Sequence, residues 1–295
     1  MSLIRPLLNL ALRLFERPYL SRATDPARVR ASLDRKARLM FRPPLGTKRQ
    51  WCDLNGVSTL KVAHRDADSS VKILYFHGGA YVFGSPRSHH GVAGQLSRLT
   101  EMPVFLPHYR LAPEHPFPAA LDDALAAYRA ISGPVIIGGD SAGGGLALAL
   151  LARICAGNLR QPLMTFAFSP FTDMTYSGAS IQNNAKSEVM LPVHRMEELR
   201  DIYLQGADPR DPRASPLFAD FTGAGPVVIT ASDSEILQDD SRRMVTHLQS
   251  QNVTADLIMG HDLPHVWPYF CSILPEARQT LRDIAGKIRQ ITPVS

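Results

Sequence analysis

The chain has few cysteines, no long uninterrupted apolar run and no large excess of charge of either sign, and each shortage removes a class of protein. Cys52, Cys155 and Cys271 are an odd number, widely spaced, with no CxxC pair and no histidine at metal-ligand spacing. That pattern argues against a disulfide framework and a structural metal site, and reads as free thiols in a reducing compartment. No run of about 18 apolar residues occurs, so no membrane-spanning helix is expected. The start, Met1 to Phe15, is apolar, but Arg5 and Arg13 interrupt it and no small-residue cleavage site follows. An export signal is therefore not expected, and the expected location is the cytoplasm. Lys and Arg number 32 against 27 Asp and Glu, for a net charge of +5, and the two signs are interspersed, so a nucleic-acid partner is not indicated. Internal repeats and low-complexity segments are missing as well.

What is present is enough apolar sequence, 45% of 295 residues, to bury one generous α/β domain or a domain with a small appendage. Near the start, Leu3, Leu7, Leu10 and Leu14, with Ile4, Leu8, Ala11 and Phe15 alongside, share one face of a helix, and Arg5, Asn9, Arg13 and Glu16 share the other. Such a stripe ordinarily packs on its own protein, which is the expectation here; the rival is a helix lying on a membrane surface. A second helix is expected from Ala27 to Met40, ending before Pro43-Pro44, so residues 1–45 read as a helical appendage.

From there to residue 295 short β-branched and aromatic runs alternate with helical segments, the signature of βα units around a mostly parallel sheet. Strands are expected at Lys72–Phe76, Val104–His108, Val135–Gly138, Met164–Phe168, Val227–Ala231 and Ala255–Met259. Helices are expected near Val92–Leu99, Ala119–Ile131, Ala142–Ala156, Asp239–Gln251 and Glu276–Gln290. Between about 172 and 225 the alternation fails, leaving one short helix near Val193–Leu204, and so long an interruption reads as a lid or insertion.

Gly139-Asp140-Ser141-Ala142-Gly143 follows the apolar strand Val135-Ile136-Ile137 and opens an apolar helix. A strand, a sharp turn and a helix around G-x-S-x-G are what a nucleophile elbow requires, with Ser141 as nucleophile. A Gly-rich phosphate-binding turn is the alternative, but no lysine follows in the P-loop pattern. His77-Gly78-Gly79-Ala80 sits at the end of another strand, where Gly78 and Gly79 leave backbone N–H groups free to face an oxyanion. The amide of Ala142, at a helix start, is a third donor, and each such donor is worth about 3 kcal/mol in a transition state. The base of such a site comes late in the chain, after the acid, so His77 is not that base. His261 and His265 both satisfy the order. His247, His194, His64, His89, His90, His108 and His115 lack the position and read as structural. The acid must follow Val227–Ala231; Asp239 and Asp240 open a helix, which leaves Asp233 and Glu235 in contest.

These residues resemble the hormone-sensitive-lipase-like branch of the α/β-hydrolases, which includes many bacterial esterases. His77-Gly78-Gly79-Ala80-Tyr81 with Gly84-Ser85 is similar to the family's oxyanion segment, and Tyr109-Arg110-Leu111-Ala112-Pro113-Glu114 with Pro118-Ala119-Ala120 to its next signature. Gly139-Asp140-Ser141-Ala142-Gly143-Gly144 is similar to its elbow. The family's acid segment, D-x-L-x-D-[ED], matches Glu235-Ile236-Leu237-Gln238-Asp239-Asp240 with glutamate in the acid's place, and its histidine segment matches His265-Val266-Trp267. The resemblance thus implies a Ser141, Glu235, His265 triad in an α/β-hydrolase domain over 46–295, under a cap made by the N-terminal helices and the insertion. It implies a carboxylesterase for short- to medium-chain esters that needs no metal or organic cofactor. Its partner is a small-molecule ester; the family often forms homodimers, although no residue here argues for one. A non-catalytic small-molecule receptor on the same fold is the rival from another class, and such a receptor ordinarily lacks a triad member.

Overall fold

The computed structural model describes residues 2–68 and 70–292. Met1 and residues 293–295, which belong to the two segments expected from sequence, lie outside the described residues. The chain begins with α1 (Ile4–Ala11), a π-type turn at Leu12–Glu16 and α2 (Arg17–Arg22). After these comes α3 (Pro26–Met40), which has proline in its first turn and Asp25 as N-cap, Oδ1 accepting from the amides of Ala27 (2.9 Å) and Arg28 (3.3 Å).

Most of the apolar stripe of α1 does not pack on the protein as expected; only Leu8, half-buried against the core, does so. Leu3 is 89% exposed, Leu7 68%, Leu10 53%, Leu14 57% and Phe15 73%. The polar face turns inward instead. Arg5 Nη1 donates to the His261 carbonyl (3.0 Å), Asn9 Nδ2 to the Asp262 carbonyl (3.0 Å) and Arg13 Nη2 to the Ser187 carbonyl (3.1 Å). The physical reason is the surface beneath: it presents loop carbonyls, which require donors, and a leucine face would have left them unpaired.

Two strands precede the first one expected. β1 (Thr47–Leu54) and β2 (Val57–His64) form an antiparallel hairpin closed by Asn55 and Gly56, both at positive φ (53° and 84°), the geometry that Asn-Gly favours in a two-residue turn. There follow β3 (Lys72–Phe76), α4 (His90–Thr100), β4 (Val104–Pro107), α5 (Ala119–Ala130), β5 (Val135–Asp140), α6 (Ala142–Ala156) and β6 (Thr165–Phe168). The interrupted stretch holds α7 (Ser180–Asn183), a 3-10 turn at Val193–Arg195, α8 (Met196–Leu204) and a 3-10 turn at Pro216–Phe218. The chain ends with β7 (Val227–Ser232), α9 (Gln238–Ser250), β8 (Ala255–Gly260) and α10 (Pro275–Ile291).

The eight strands form one sheet in the order β1-β2-β4-β3-β5-β6-β7-β8, antiparallel through β1, β2 and β4 and parallel from β4 to β8. Apolar clusters cover both faces: residues of α5, α6 and α9 on one, residues of α4 and α10 with Trp267 on the other. This explains why β5 reads as a continuous apolar run rather than an alternating one. All six of its residues are buried, and full burial of each Val or Ile is worth about 1.5–3 kcal/mol. Parallel strands place the loops at their carboxyl ends on one rim, which is where β5, β7 and β8 deliver the candidate residues.

Candidate active site

Ser141 stands between the end of β5 and the start of α6 at φ 51°, ψ −121°, a conformation strained for any residue with a Cβ. The surrounding hydrogen bonds hold it there: its amide donates to the Phe168 carbonyl (2.8 Å), and its own carbonyl accepts from Gly145 (3.0 Å) and Phe171 (3.0 Å). The flanking glycines are required by space. A Cβ on Gly139 would lie 2.3 Å from the Gly143 oxygen, and one on Gly143 would lie 2.1 Å from the Phe76 oxygen. The turn therefore brings the nucleophile position hard against the end of β3, beside the loop that begins at His77.

That loop is built around His77. Its ring stacks on Tyr109 with centroids 4.3 Å apart and planes 16° from parallel, its Nδ1 donates to the Gly78 carbonyl (3.0 Å), and the Tyr109 hydroxyl donates to the His77 carbonyl (2.6 Å). Burial, reinforced by the nearby His89, pushes its pKa down to about 3, so the ring is neutral. Its stacking and hydrogen bonds prop the loop. Gly79 is at φ 125°, where a Cβ would also lie 2.5 Å from the Phe83 oxygen, and a Cβ on Gly78 would lie 2.2 Å from Asp140 Oδ2. Asp140 is a residue whose importance the sequence did not reveal. It is buried beneath the loop, where its Oδ1 accepts from the Tyr75 hydroxyl (2.8 Å) and its Oδ2 lies 3.3 Å from His89 Nε2. Burial works against its ionisation, but the charge and hydrogen bond of His89 and the hydrogen bond of Tyr75 outweigh it and hold the carboxyl below its usual range.

His265 follows β8 on a loop fixed by Val266, at φ 55°, whose amide donates to Ser169 Oγ (3.1 Å), and by Trp267, whose indole N–H donates to Thr280 Oγ1 (2.9 Å). Its Nε2 lies 3.0 Å from Ser141 Oγ and its Nδ1 2.8 Å from Glu235 Oε2. Because a carboxylate only accepts, the proton sits on Nδ1 and leaves Nε2 as an acceptor for the serine hydroxyl. Glu235 and His265 are each 1% exposed. The other Glu235 oxygen accepts from the Ser232 amide (3.1 Å), closing the turn after β7.

The competing residues pair with each other. Asp233 Oδ2 lies 2.6 Å from His261 Nδ1 and its Oδ1 accepts from the Asp262 amide (2.8 Å), at side chains 40% and 70% exposed for Asp233 and His261. His247 and His194 likewise bond elsewhere, to the Ala219 carbonyl (2.7 Å) and Ser21 Oγ (3.0 Å). One more carboxylate escaped sequence reading. Glu188, from the interrupted stretch and 1% exposed, accepts from the Ile236 amide (3.2 Å) through Oε2 and from Met190 (2.7 Å) and Leu191 (3.1 Å) through Oε1. It fastens that stretch to the turn bearing Glu235.

Burial disfavours the charged form of His265, yet the hydrogen bond and charge of Glu235, with the charges of Glu188 and Asp140, outweigh it and raise the pKa above the ordinary histidine value. The sign follows directly: the imidazolium, which accepts no proton, persists to higher pH than in a free histidine of pKa about 6.5. The acid limb of kcat/KM is therefore expected above that value, and Glu188→Gln is expected to move it down; a limb below it, or one unmoved by the substitution, would contradict this account of the charge balance.

Above Ser141 opens a cavity of about 600 Å³. Its walls are mostly apolar and include Leu12 and Phe15 from the N-terminal helices, Gly79 and Tyr81 from the His77 loop, Leu191 and Met196 from the interrupted stretch, and Val266 and Tyr269 after His265.

The family described as alpha/beta hydrolase fold matches residues 73–269. An acetyl-hydrolase of Streptomyces hygroscopicus is 36% identical over 220 residues, covering 72% of this chain and 73% of that protein. An esterase of Acinetobacter venetianus is 34% identical over 226 residues, covering 74% and 75%. Among solved structures, an esterase from the bacterial hormone-sensitive lipase family superposes with a TM-score of 0.92 at 33% identity, covering 98% of each chain. With the elbow, the rim of loops and these likenesses in agreement, the chain belongs to the α/β-hydrolase family, in its bacterial hormone-sensitive-lipase-like branch, and is a carboxylic ester hydrolase.

Proposed function

We propose that the protein is a serine carboxylesterase for short- to medium-chain esters, working through an acyl-enzyme on Ser141. The observation that carries the proposal is the continuous chain of hydrogen-bonding distances from Ser141 through His265 to Glu235, 3.0 and 2.8 Å, at the floor of an apolar cavity. Ser141 Oγ attacks the ester carbonyl while its proton passes to His265 Nε2, and the carbonyl oxygen gathers negative charge facing the amides of Gly78, Gly79 and Ala142. Glu235 keeps the proton on Nδ1 and stabilises the imidazolium. The carbon–oxygen bond to the alcohol then breaks, His265 returning the proton to the leaving oxygen, and a water activated by the same histidine releases the acid and restores Ser141.

In this reading residues 1–45 and the insertion at about 172–225 form a cap over a catalytic domain spanning 46–295, and the cap sets the length of acyl chain admitted. The three unpaired cysteines support a reducing compartment, the cytoplasm, as the place of action. A cavity of about 600 Å³ lies within the range of small-molecule sites. A series of p-nitrophenyl esters tests the proposal: kcat/KM is expected to peak at short to medium acyl chains and to fall for long ones. Best activity on long-chain emulsified triglycerides would overturn the substrate class.

A further inference from the structure

The outward leucine face of α1 and the turn after it is left uncovered by the described residues, and three observations bear on what covers it. The first is that the helix is seated the wrong way round for a packing role: its polar residues are the ones bonded to the domain, through Arg5, Asn9 and Arg13, while Leu3, Leu7, Leu10, Leu14 and Phe15 face out. An apolar face of this extent, presented deliberately, marks an interaction surface. The second is charge. Residues 1–45 hold ten basic and three acidic side chains, against a net charge of +5 for the whole chain, so the remainder of the protein is slightly acidic. Arg22, Arg28, Arg35, Arg38 and Arg42 are exposed on this segment. The third is position. Ala11, Phe15 and Met40 are exposed and also line the cavity above Ser141, so the apolar face runs into the mouth of the substrate cavity.

We infer that this face docks on an anionic lipid surface, the leucines entering the interface and the arginines meeting the headgroups, with the cavity mouth turned toward the lipid. An amphipathic helix with basic flanks binds such a surface by apolar burial and electrostatic attraction together. A second copy of the chain is the competing occupant, and the charge disfavours it: a self-complementary contact through this face would bring two basic segments together. Delivery of ester from a lipid phase into the cavity would follow from the geometry, and only that consequence rests on the esterase reading; the docking itself does not.

Flotation of the full chain with vesicles tests the inference. The protein is expected to rise with vesicles of phosphatidylcholine and phosphatidylglycerol, less with phosphatidylcholine alone, and less with the anionic vesicles in high salt. Leu7→Ser, Leu10→Ser and Leu14→Ser together, at positions outside the cavity lining, are expected to weaken partitioning on the order of 100-fold while hydrolysis of dissolved p-nitrophenyl butyrate stays at the parental rate. Ser141→Ala is expected to float like the parent, so an error about the chemistry would leave the result intact. Three outcomes overturn docking on lipid: a parent protein that stays at the bottom of the gradient with anionic vesicles, a triple variant that floats as well as the parent, or self-association of the parent in sedimentation that the triple variant loses.

Discussion

Ser141→Ala is expected to lower kcat by about 10⁶-fold while the protein stays folded. The loss is that large because the proposed nucleophile, base and acid act as one unit, and removal of the attacking oxygen leaves only the oxyanion donors and substrate positioning to favour the reaction. The same position carries a second, separable effect. At φ 51° and ψ −121° it is the Cβ rather than the hydroxyl that strains the elbow, and alanine keeps the Cβ. Ser141→Gly removes it. The strain released, about 1–3 kcal/mol, exceeds the extra freedom glycine gains in the unfolded chain, about 0.5–1 kcal/mol. Glycine at 141 is therefore expected to be as inactive as alanine but more stable by about 1 kcal/mol. Equilibrium unfolding of both variants measures this, and a glycine variant less stable than the alanine variant by about 0.5–1 kcal/mol would mean that the elbow stores no strain.

The second large effect separates two acids only two residues apart. Glu235→Gln is expected to cost on the order of 10⁴ in kcat, because a neutral amide neither fixes the Nδ1 proton nor stabilises the imidazolium. Asp233→Asn breaks a half-exposed pair with His261, a kind of contact worth about 0–1 kcal/mol, and should leave kcat near the parental value. Paired kinetics on one substrate decide the matter. A vigorous Glu235→Gln enzyme beside a crippled Asp233→Asn enzyme would move the acid's role to Asp233.

That pair also illustrates what the sequence could and could not convey. The turn that carries the proposed nucleophile was legible as a strand–turn–helix because its requirements are local: a buried strand, two glycines forced by backbone contacts and an apolar helix fall within about twenty residues. The proposed acid was legible only as a neighbourhood. Asp233 is the first residue beyond β7, but its amide still donates to the Gly260 carbonyl (3.0 Å), and its side chain leaves toward His261. The chain must turn before Glu235 swings back to His265, and the turn is held by Glu188 from a stretch some fifty residues earlier, a contact with no local signature. Asp140 is similar: its partners Tyr75 and His89 come from other elements. The β1–β2 hairpin was missed for a different reason. Its Asn-Gly turn was readable, but β1 is an edge strand with four consecutive exposed residues, Lys48 to Trp51, so it lacks the apolar alternation that identifies a half-buried strand. The orientation of α1 was misjudged because periodicity shows that a helix has two faces and says nothing of what lies beneath either. Loop carbonyls from two distant segments, at His261–Asp262 and at Lys186–Ser187, decided that.

The stacked, uncharged His77 has a consequence for how the site responds to its surroundings. In the proposed mechanism the attraction of the pocket for a forming anion comes from peptide dipoles held by that ring, and dipoles carry no proton to lose. The tyrosines beside it point the same way, since burial holds Tyr75 and Tyr109 protonated far into alkaline solution. Near the reacting carbonyl, His265 is then the group whose protonation governs the rate. The activity profile should accordingly rise through one ionisation and level off, rather than trace a bell, so that the alkaline limit of the enzyme is set by its unfolding and not by its chemistry.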